Sequence, residues 1–195
     1  MKCRWIFVVL TVACLAANPA SSSHIGVYFD TAASDCDLDV VTGPVTWYIF
    51  AVLGEDAAGA GILGFEFRQI GTPAGWFINW IPNPALCDLC LPQDPTVGVG
   101  LHFFTCQPGP AVLLFTASGF ASVSPPTTCL SILPHSTPAN PAFTCPLVIL
   151  CDAPTYTSLC VPGTSGVING DCASVSCTIA VEDRTWTGVK QLYQN

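Results

Sequence analysis

Cysteine constrains the fold of this 195-residue chain more than any other feature. The chain has twelve cysteines, of which Cys3 and Cys14 lie in an amino-terminal leader, so ten remain after its removal. An even number of cysteines in an exported chain predicts up to five disulfides. The cysteines predicted to form them are Cys36, Cys87, Cys90, Cys106, Cys129, Cys145, Cys151, Cys160, Cys172 and Cys177. Ten cysteines can pair in about 945 ways, so the sequence does not give the connectivity.

Residues 1–22 have the three-part layout of a secretory signal peptide. A positively charged start is followed by an apolar run over residues 5–17 and then by small polar residues. Small residues flank the positions after Ala20 and Ser22, so both positions fit a cleavage site. The sequence therefore predicts export, in agreement with the cysteine content.

The apolar segments are too short to hold the chain in a membrane. The run in the leader falls below the roughly 20 residues that span a bilayer, and no later segment is long and continuous enough. We therefore predict a secreted, extracellular or cell-surface protein without a transmembrane segment. The alternative is a lipid anchor at Cys14, because Thr11-Val12-Ala13-Cys14 loosely resembles a lipoprotein box.

The charge balance excludes nucleic acid as a partner. Without the leader, thirteen carboxylates face only three strong cations, Arg68, Arg184 and Lys190. Such an acidic surface repels phosphate backbones. Few charges combined with many Ala, Val, Gly, Thr and Pro residues favour a sheet-rich fold. The roughly 170 remaining residues suffice for one domain with an extension.

Short apolar and β-branched runs, each ended by Gly, Pro, Asn or Asp, predict an antiparallel β-sandwich. The first six predicted strands are Ile25–Asp30, Val45–Leu53, Ile62–Ile70, Trp76–Ile81, Val97–Thr105 and Ala111–Ala117. The strand Val45–Leu53 is apolar on both faces, which places it centrally in a sheet. In the strand Ile62–Ile70, Leu63, Phe65 and Phe67 are predicted to face the core, and Glu66 and Arg68 the solvent.

The chain is predicted to divide into a sandwich over residues 24–123, a proline-rich connection over 124–146 and a cysteine-rich β extension over 147–195. Six prolines in the connection oppose regular ladder pairing over most of it. The strands predicted beyond it are Cys145–Cys151, Tyr156–Val161, Gly166–Asn169 and Val175–Val181. Trp186, Val189, Leu192 and Tyr193 are spaced for a short C-terminal helix.

Cysteine counts link the sandwich to the extension. Five of the ten cysteines lie on each side of the segment between Cys129 and Cys145. Since each side holds an odd number, full oxidation requires at least one bridge across that segment. We predict Cys129–Cys145 as that bridge.

The order of strands over residues 24–123 resembles that of cohesins and related extracellular β-sandwich modules. Gly61-Ile62-Leu63-Gly64-Phe65-Glu66-Phe67 is similar to a cohesin strand with a small-apolar-Gly-Phe-x-Phe pattern, and Val97–Phe104 and Ala111–Ala117 resemble two later core strands. The resemblance implies a jelly-roll or Ig/cohesin-like sandwich that binds a protein or a sugar through exposed strands or loops. The chain departs from cohesins in its many cysteines. Its tail is similar to the ends of uncharacterised secreted bacterial proteins.

Three aspartates suggest a calcium site. Asp35, Asp37 and Asp39 alternate around Cys36, so an extended backbone would point all three carboxylates to one side, and Asp30 is near in sequence. Carboxylate oxygens in such a group are suitable ligands for calcium. The alternative is a solvated acidic loop that discourages pairing at a sheet edge. No cofactor other than calcium is predicted.

Two tryptophans suggest a sugar-binding platform. Trp76 and Trp80 share a face of their predicted strand, and two indoles side by side could stack on sugar rings. Indoles also bury large areas and commonly fill cores, and this second interpretation is favoured here.

No motif in the sequence predicts catalysis. Cys87-Asp88-Leu89-Cys90 has the spacing of a redox dithiol or of half a zinc site, but it lies in a proline-rich loop, so structural disulfides are favoured. The three histidines are scattered, and Gly-x-Ser-x-Gly is absent from the sequence. We therefore predict a non-catalytic secreted or cell-surface module that binds a protein or glycan. The alternatives are a self-assembling structural subunit of an extracellular assembly, whose sheet edges would add strands between chains, and a secreted hydrolase.

Overall fold

The computed structural model describes residues 22–57, 59–86 and 94–172, and this part of the chain is all-β. It holds a single 3-10 turn, Glu55–Ala57, and no α-helix. The strands are β1 (His24–Tyr28), β2 (Asp37–Leu38), β3 (Gly43–Val52), β4 (Ile62–Ile70), β5 (Phe77–Pro82), β6 (Val99–Gln107), β7 (Ala111–Ala121), β8 (Thr128–Leu133), β9 (Leu147–Leu150), β10 (Ser158–Cys160) and β11 (Ser165–Ile168). The predicted C-terminal helix and the strand predicted at Val175–Val181 lie outside the described residues.

The first sheet has four strands in the order β1-β3-β7-β5, and all its pairs are antiparallel. β3 pairs with β1 on one side and with β7 on the other, which confirms the central position predicted for Val45–Leu53. β1 forms one edge, where Ile25 makes an isolated bridge to Gly163. β5 forms the other edge and pairs only with β7 among the strands named above.

The second sheet is built around β4. Its strands follow the order β10-β9-β4-β8-β11-β2, and β6 pairs with the remaining side of β4. β9 pairs with the first half of β4 and β8 with the second half, so two short strands share one side of it. β11 then pairs antiparallel with β8 and parallel with β2.

The proline-rich stretch differs from the prediction because it contains β8. Residues Thr128–Leu133 carry no proline, and they pair with β4 on one side and with β11 on the other. The strands beyond the stretch therefore belong to the same sheet as β4. The predicted connection over 124–146 does not separate two sheets.

A bulge changes the predicted face of one residue in β4. The register with β6 and β9 shifts between Ile62 and Gly64, so Ile62 is buried in the core together with Phe65 and Phe67. Leu63 is only half-buried, and its predicted place in the core is therefore wrong. One extra residue in a strand reverses the alternation of faces before it.

The core lies between the two sheets and is dominated by aromatic rings. The Phe115 ring of β7 meets the rings of Phe65 and Phe67 of β4 edge to face, at centroid distances of 6.1 and 6.2 Å. Trp47 of β3 is fully buried beside them. Edge-to-face pairs add to the stability that burial of the ring area provides.

Three disulfides are fully placed in the described residues, as Cys106–Cys151, Cys129–Cys172 and Cys145–Cys160. The first two cross the segment between Cys129 and Cys145. The prediction that at least one bridge crosses this segment is therefore confirmed. The predicted Cys129–Cys145 bridge is wrong because β11 lies beside β8 and brings Cys172 to Cys129, while the β9–β10 hairpin brings Cys160 to Cys145. Cys36 is also disulfide-bonded. Cys87, Cys90 and Cys177 lie outside the described residues.

A second, smaller cluster covers the outer face of β1. Tyr28 is buried there against Phe50, with the ring of Phe50 at 5.9 Å and the Nε2 of His24 at 2.7 Å from the Tyr28 hydroxyl oxygen. Residues Ala33 and Cys36 of the following loop close the cluster. β1 is therefore buried on both faces, although it is an edge strand.

We expect Tyr28 to make stability fall at alkaline pH. Burial raises the pKa of Tyr28 above its ordinary value of 10, the charge of Asp30 adds to the rise and a hydrogen bond with Thr164 opposes it. Above pH 10 the unfolded chain therefore binds fewer protons at this position than the folded chain does, and the free energy of unfolding drops as pH rises. Urea titrations should show a loss of up to about 1.4 kcal/mol per pH unit. Tyr28→Phe should flatten this part of the profile, and an unchanged slope in the variant would contradict the assignment.

Candidate functional site

The three aspartates predicted to bind calcium lie in and around β2. Asp35, Asp37 and Asp39 are exposed, and Asp35 Oδ1 accepts a hydrogen bond from the Asp37 N–H at 3.1 Å. Within residues 22–57, 59–86 and 94–172, no three His, Cys, Asp or Glu side chains come together so as to hold a metal ion. Calcium binding at these residues stays a prediction.

Asp30 organises the loop that precedes β2. Its Oδ1 accepts hydrogen bonds from the N–H groups of Ser34 at 2.8 Å and Asp35 at 3.2 Å, and its Oδ2 accepts one from Ser34 Oγ. Burial acts to raise the pKa of Asp30, but these hydrogen bonds outweigh it and hold the pKa below the ordinary range. This carboxylate therefore closes a turn over Tyr28.

Trp76 and Trp80 pack towards the interior. The Trp80 ring meets the buried Trp47 ring edge to face at 5.7 Å, and the Trp76 ring lies 6.4 Å from it. Both indoles are half-buried against the main core. A sugar platform at these residues stays a prediction, and Cys87-Asp88-Leu89-Cys90 lies outside the described residues.

A groove lies on the outer face of the second sheet, over β4, β6 and β9. Its volume is about 350 Å³. The residues that shape it are Glu66, Gly100, His102, Phe143, Leu147 and Ile149. Gly100 of β6 lies in the floor, where it pairs with Glu66 of β4. Because glycine has no side chain, this position leaves a depression beside Glu66.

Polar groups lie along the rim of this groove. The Glu66 Oε2 accepts a hydrogen bond from the Ala139 N–H at 3.2 Å, which holds the segment 139–143 against the sheet. Asn140 and Ser158 line the groove beside this segment, and His102 is exposed on β6. An apolar floor with a few polar groups at its edge is typical of sites that bind another molecule.

The outer face of the first sheet carries exposed aromatic side chains. Phe77 of β5 is 86% exposed, and Phe120, its directly opposite partner on β7, is 54% exposed. Pro44 of β3 continues this row beyond Phe120. Ile81, further along β5, is 47% exposed. We call the residues Phe77, Phe120, Pro44 and Ile81 the apolar face.

The strands beneath the apolar face carry no charged side chain. Residues 40–54, 69–87 and 95–151 contain no Asp, Glu, Lys or Arg, and these segments include all of β3, β5 and β7. The chain as a whole has a net charge of −8. The apolar face is therefore an uncharged surface on a strongly acidic protein.

Comparison with known proteins gave structural neighbours but no sequence family. No protein-family model matches the chain, and no curated protein matches it. The structure is similar to a cohesin module from a family 33 glycoside hydrolase of Clostridium perfringens, with 11% identity, a TM-score of 0.49 and coverage of 77% of this chain and 98% of that one. It is also similar to the seventh ScaB type I cohesin of Pseudobacteroides cellulosolvens, with 11% identity, a TM-score of 0.48 and coverage of 84% and 98%. The resemblance to cohesins stated from the sequence is confirmed as a distant similarity.

The part of the chain that the structure describes contains no helix of the length and apolar character needed to cross a membrane.

Proposed function

We propose that this protein is a non-catalytic extracellular module that binds a partner protein through the groove over β4, β6 and β9. The observation that carries the proposal is the groove itself, a concave apolar floor bordered by Glu66, His102, Asn140 and Ser158. Its volume of about 350 Å³ lies at the lower end of the range for ligand sites. A large side chain that projects from a partner protein fits a depression of this size.

The side chains of the groove favour a protein partner over a glycan. Sugar rings are commonly bound by stacking on exposed flat aromatic rings. Of the described phenylalanines that line this groove, Phe65 is buried in the core and Phe143 is half-buried. Apolar anchors surrounded by a polar rim are the usual structure of protein interfaces. Among the described residues, Glu66 is the one charged side chain lining the groove, and it favours an anchor with a positively charged or hydrogen-bonding end.

Extracellular location is supported by the disulfides. Cys106–Cys151, Cys129–Cys172 and Cys145–Cys160 join distant parts of the described chain, and such bridges persist in oxidising compartments. The signal peptide predicted at residues 1–22 would direct the chain there.

We expect Gly100→Val to abolish partner binding without disturbing the fold. A Cβ at this position would lie 3.5 Å from Glu66 Oε2 and 3.7 Å from Glu66 Cγ, which is ordinary contact, so the added side chain fills the groove. Valine is also well suited to a strand. Loss of the anchor should weaken binding at least about tenfold. The matched control is Ala32→Val, which introduces the same side chain at an exposed position in the turn after β1, away from the groove.

The measurement uses a photo-crosslinking amino acid at position 102, at the rim of the groove, and the same amino acid at the exposed position 32 as the reference. Each protein is mixed with the culture medium of the producing cells, irradiated and analysed by mass spectrometry. We expect a protein adduct from position 102 that disappears when Gly100→Val is added and persists with Ala32→Val. Equal adducts from both positions, or none from position 102, would contradict the proposal. Binding on a glycan array that Gly100→Val removes would show that the groove holds a sugar instead.

A further inference from the structure

The open edge of β5 has hydrogen-bonding groups available to a new strand. The Asn83 N–H donates to the Leu114 carbonyl of β7 at 3.0 Å, in the same register as the β5–β7 ladder. The backbone N–H and C=O groups of successive residues in an antiparallel strand point to alternate sides. The groups that point to β7 are therefore also those of Phe77, Asn79 and Ile81. The N–H and C=O groups of Ile78 and Trp80 then point away from β7, where no strand of the described chain pairs with them.

Within the described part of the chain, this edge lacks the features that normally prevent strands from pairing between molecules. Proteins protect exposed edges with charged side chains, especially lysine, with bulges or with covering segments. β5 has no charged residue, and its register with β7 is regular over all six residues. Proline occurs only at its last position, Pro82. An unprotected edge beside exposed aromatic side chains is a surface suited to association.

The distribution of charge on the protein favours a second copy of the chain as the partner of this edge. Two copies of a chain with a net charge of −8 repel each other wherever their carboxylates meet. The apolar face and its three strands carry no charge, so two copies can approach here without that repulsion. We propose that the protein forms a two-fold dimer in which β5 pairs antiparallel with β5 of a second copy.

One register gives hydrogen-bond partners to the outward-pointing backbone groups of β5 on both copies. Ile78 of one copy exchanges backbone hydrogen bonds with Trp80 of the other, and the two-fold axis passes between the Asn79 residues. Phe77 then lies directly opposite Ile81 of the second copy, twice by symmetry, in pairs that are not hydrogen-bonded. In such pairs the side chains approach most closely. The exposed apolar side chains of β5 are therefore covered by each other.

The dimer is expected to be of moderate affinity. Two six-residue strands give a contact near or below the lower limit of stable interfaces, about 1,200 Å². A dissociation constant on the order of 10 μM is consistent with this size. The site lies on the sheet opposite the groove, so the inference is independent of the proposed function.

Sedimentation velocity of the oxidised secreted protein, from about 1 to 500 μM, tests the proposal. We expect a monomer–dimer equilibrium in the wild type. Phe77→Lys alone and Ile81→Glu alone should each weaken the dimer at least about tenfold, because each places a charge opposite an apolar side chain twice. Phe77 is 86% exposed, so its replacement leaves the core intact. Phe104→Lys, at a 62% exposed position of β6 on the other sheet, is the control and should leave the dimer unchanged.

Mixing the two single variants tests the register itself. A mixed pair places the introduced lysine opposite the introduced glutamate at one contact and keeps Phe77 opposite Ile81 at the other, so a heterodimer should form although neither variant dimerises alone. A wild type that remains monomeric to 500 μM, a dimer that survives both single substitutions, or a mixture that stays monomeric would overturn the proposal.

Discussion

Replacing Trp47 with alanine is expected to lower the free energy of unfolding by about 3–5 kcal/mol. Trp47 is fully buried in β3, and its ring packs against the rings of Trp80 at 5.7 Å and Trp76 at 6.4 Å. Its Nε1 is buried and has no hydrogen-bond partner among the described residues, so the substitution removes packing and no described hydrogen bond. The loss is therefore the transfer of the indole to water plus the cavity left among the neighbouring rings.

Urea denaturation followed by circular dichroism measures this change. The matched control is Phe104→Ala, which removes a ring at a 62% exposed position of β6 and should change the free energy of unfolding by less than about 0.5 kcal/mol. A Trp47→Ala loss below about 1 kcal/mol would show that the tryptophan cluster is not part of the core.

Removing the Cys106–Cys151 disulfide by Cys106→Ala with Cys151→Ala is expected to cost about 4 kcal/mol. The bridge joins β6 to the residue after β9 across a sequence separation of 45 residues that includes β7 and β8. A cross-link over such a loop mainly restricts the unfolded chain, and its effect grows slowly with loop length. The Cys145–Cys160 bridge closes only 15 residues, so Cys145→Ala with Cys160→Ala should cost less, about 3 kcal/mol.

Both pairs should be compared by chemical denaturation without reductant, so that the remaining bridges stay closed. The difference between the two variants is the diagnostic result, because both remove one bridge from β9 or its flanking residues. A larger loss from the 15-residue bridge than from the 45-residue bridge would contradict the chain-entropy account. It would indicate that native packing around Cys145–Cys160 dominates its contribution.

The sequence predicted most of the strands because their apolar runs are bounded by glycine, proline and aspartate. It missed β2 and β8 for different reasons. β2 has two residues, and its partner β11 lies more than 120 residues further along the chain. β8 lies between prolines that hid its short alternating pattern, and the bulge that turned Leu63 out of the core depends on pairing that only the fold provides.

The groove and the apolar face were harder to predict from the sequence than the strands. The sequence indicates Trp76 and Trp80 as the aromatic pair of this strand, but the exposed rings of the first sheet belong to Phe77 and Phe120, which face the opposite way. The sequence feature that indicates the apolar face is the absence of charged residues over residues 69–87 and 95–151. The groove depends on Gly100 lying opposite Glu66, and this arrangement requires the register of β4 and β6.

The position of β4 has a consequence for biosynthesis. Its two neighbours on one side, β8 and β9, come from residues 128–150, so a ribosome must make more than half of the remaining chain before β4 is enclosed. Until then the nascent polypeptide exposes an aromatic strand with one unsatisfied side. Such long-range pairing slows folding and leaves intermediates prone to aggregation. Production in a heterologous host should therefore depend on chaperones that bind the unfolded chain and prevent its aggregation.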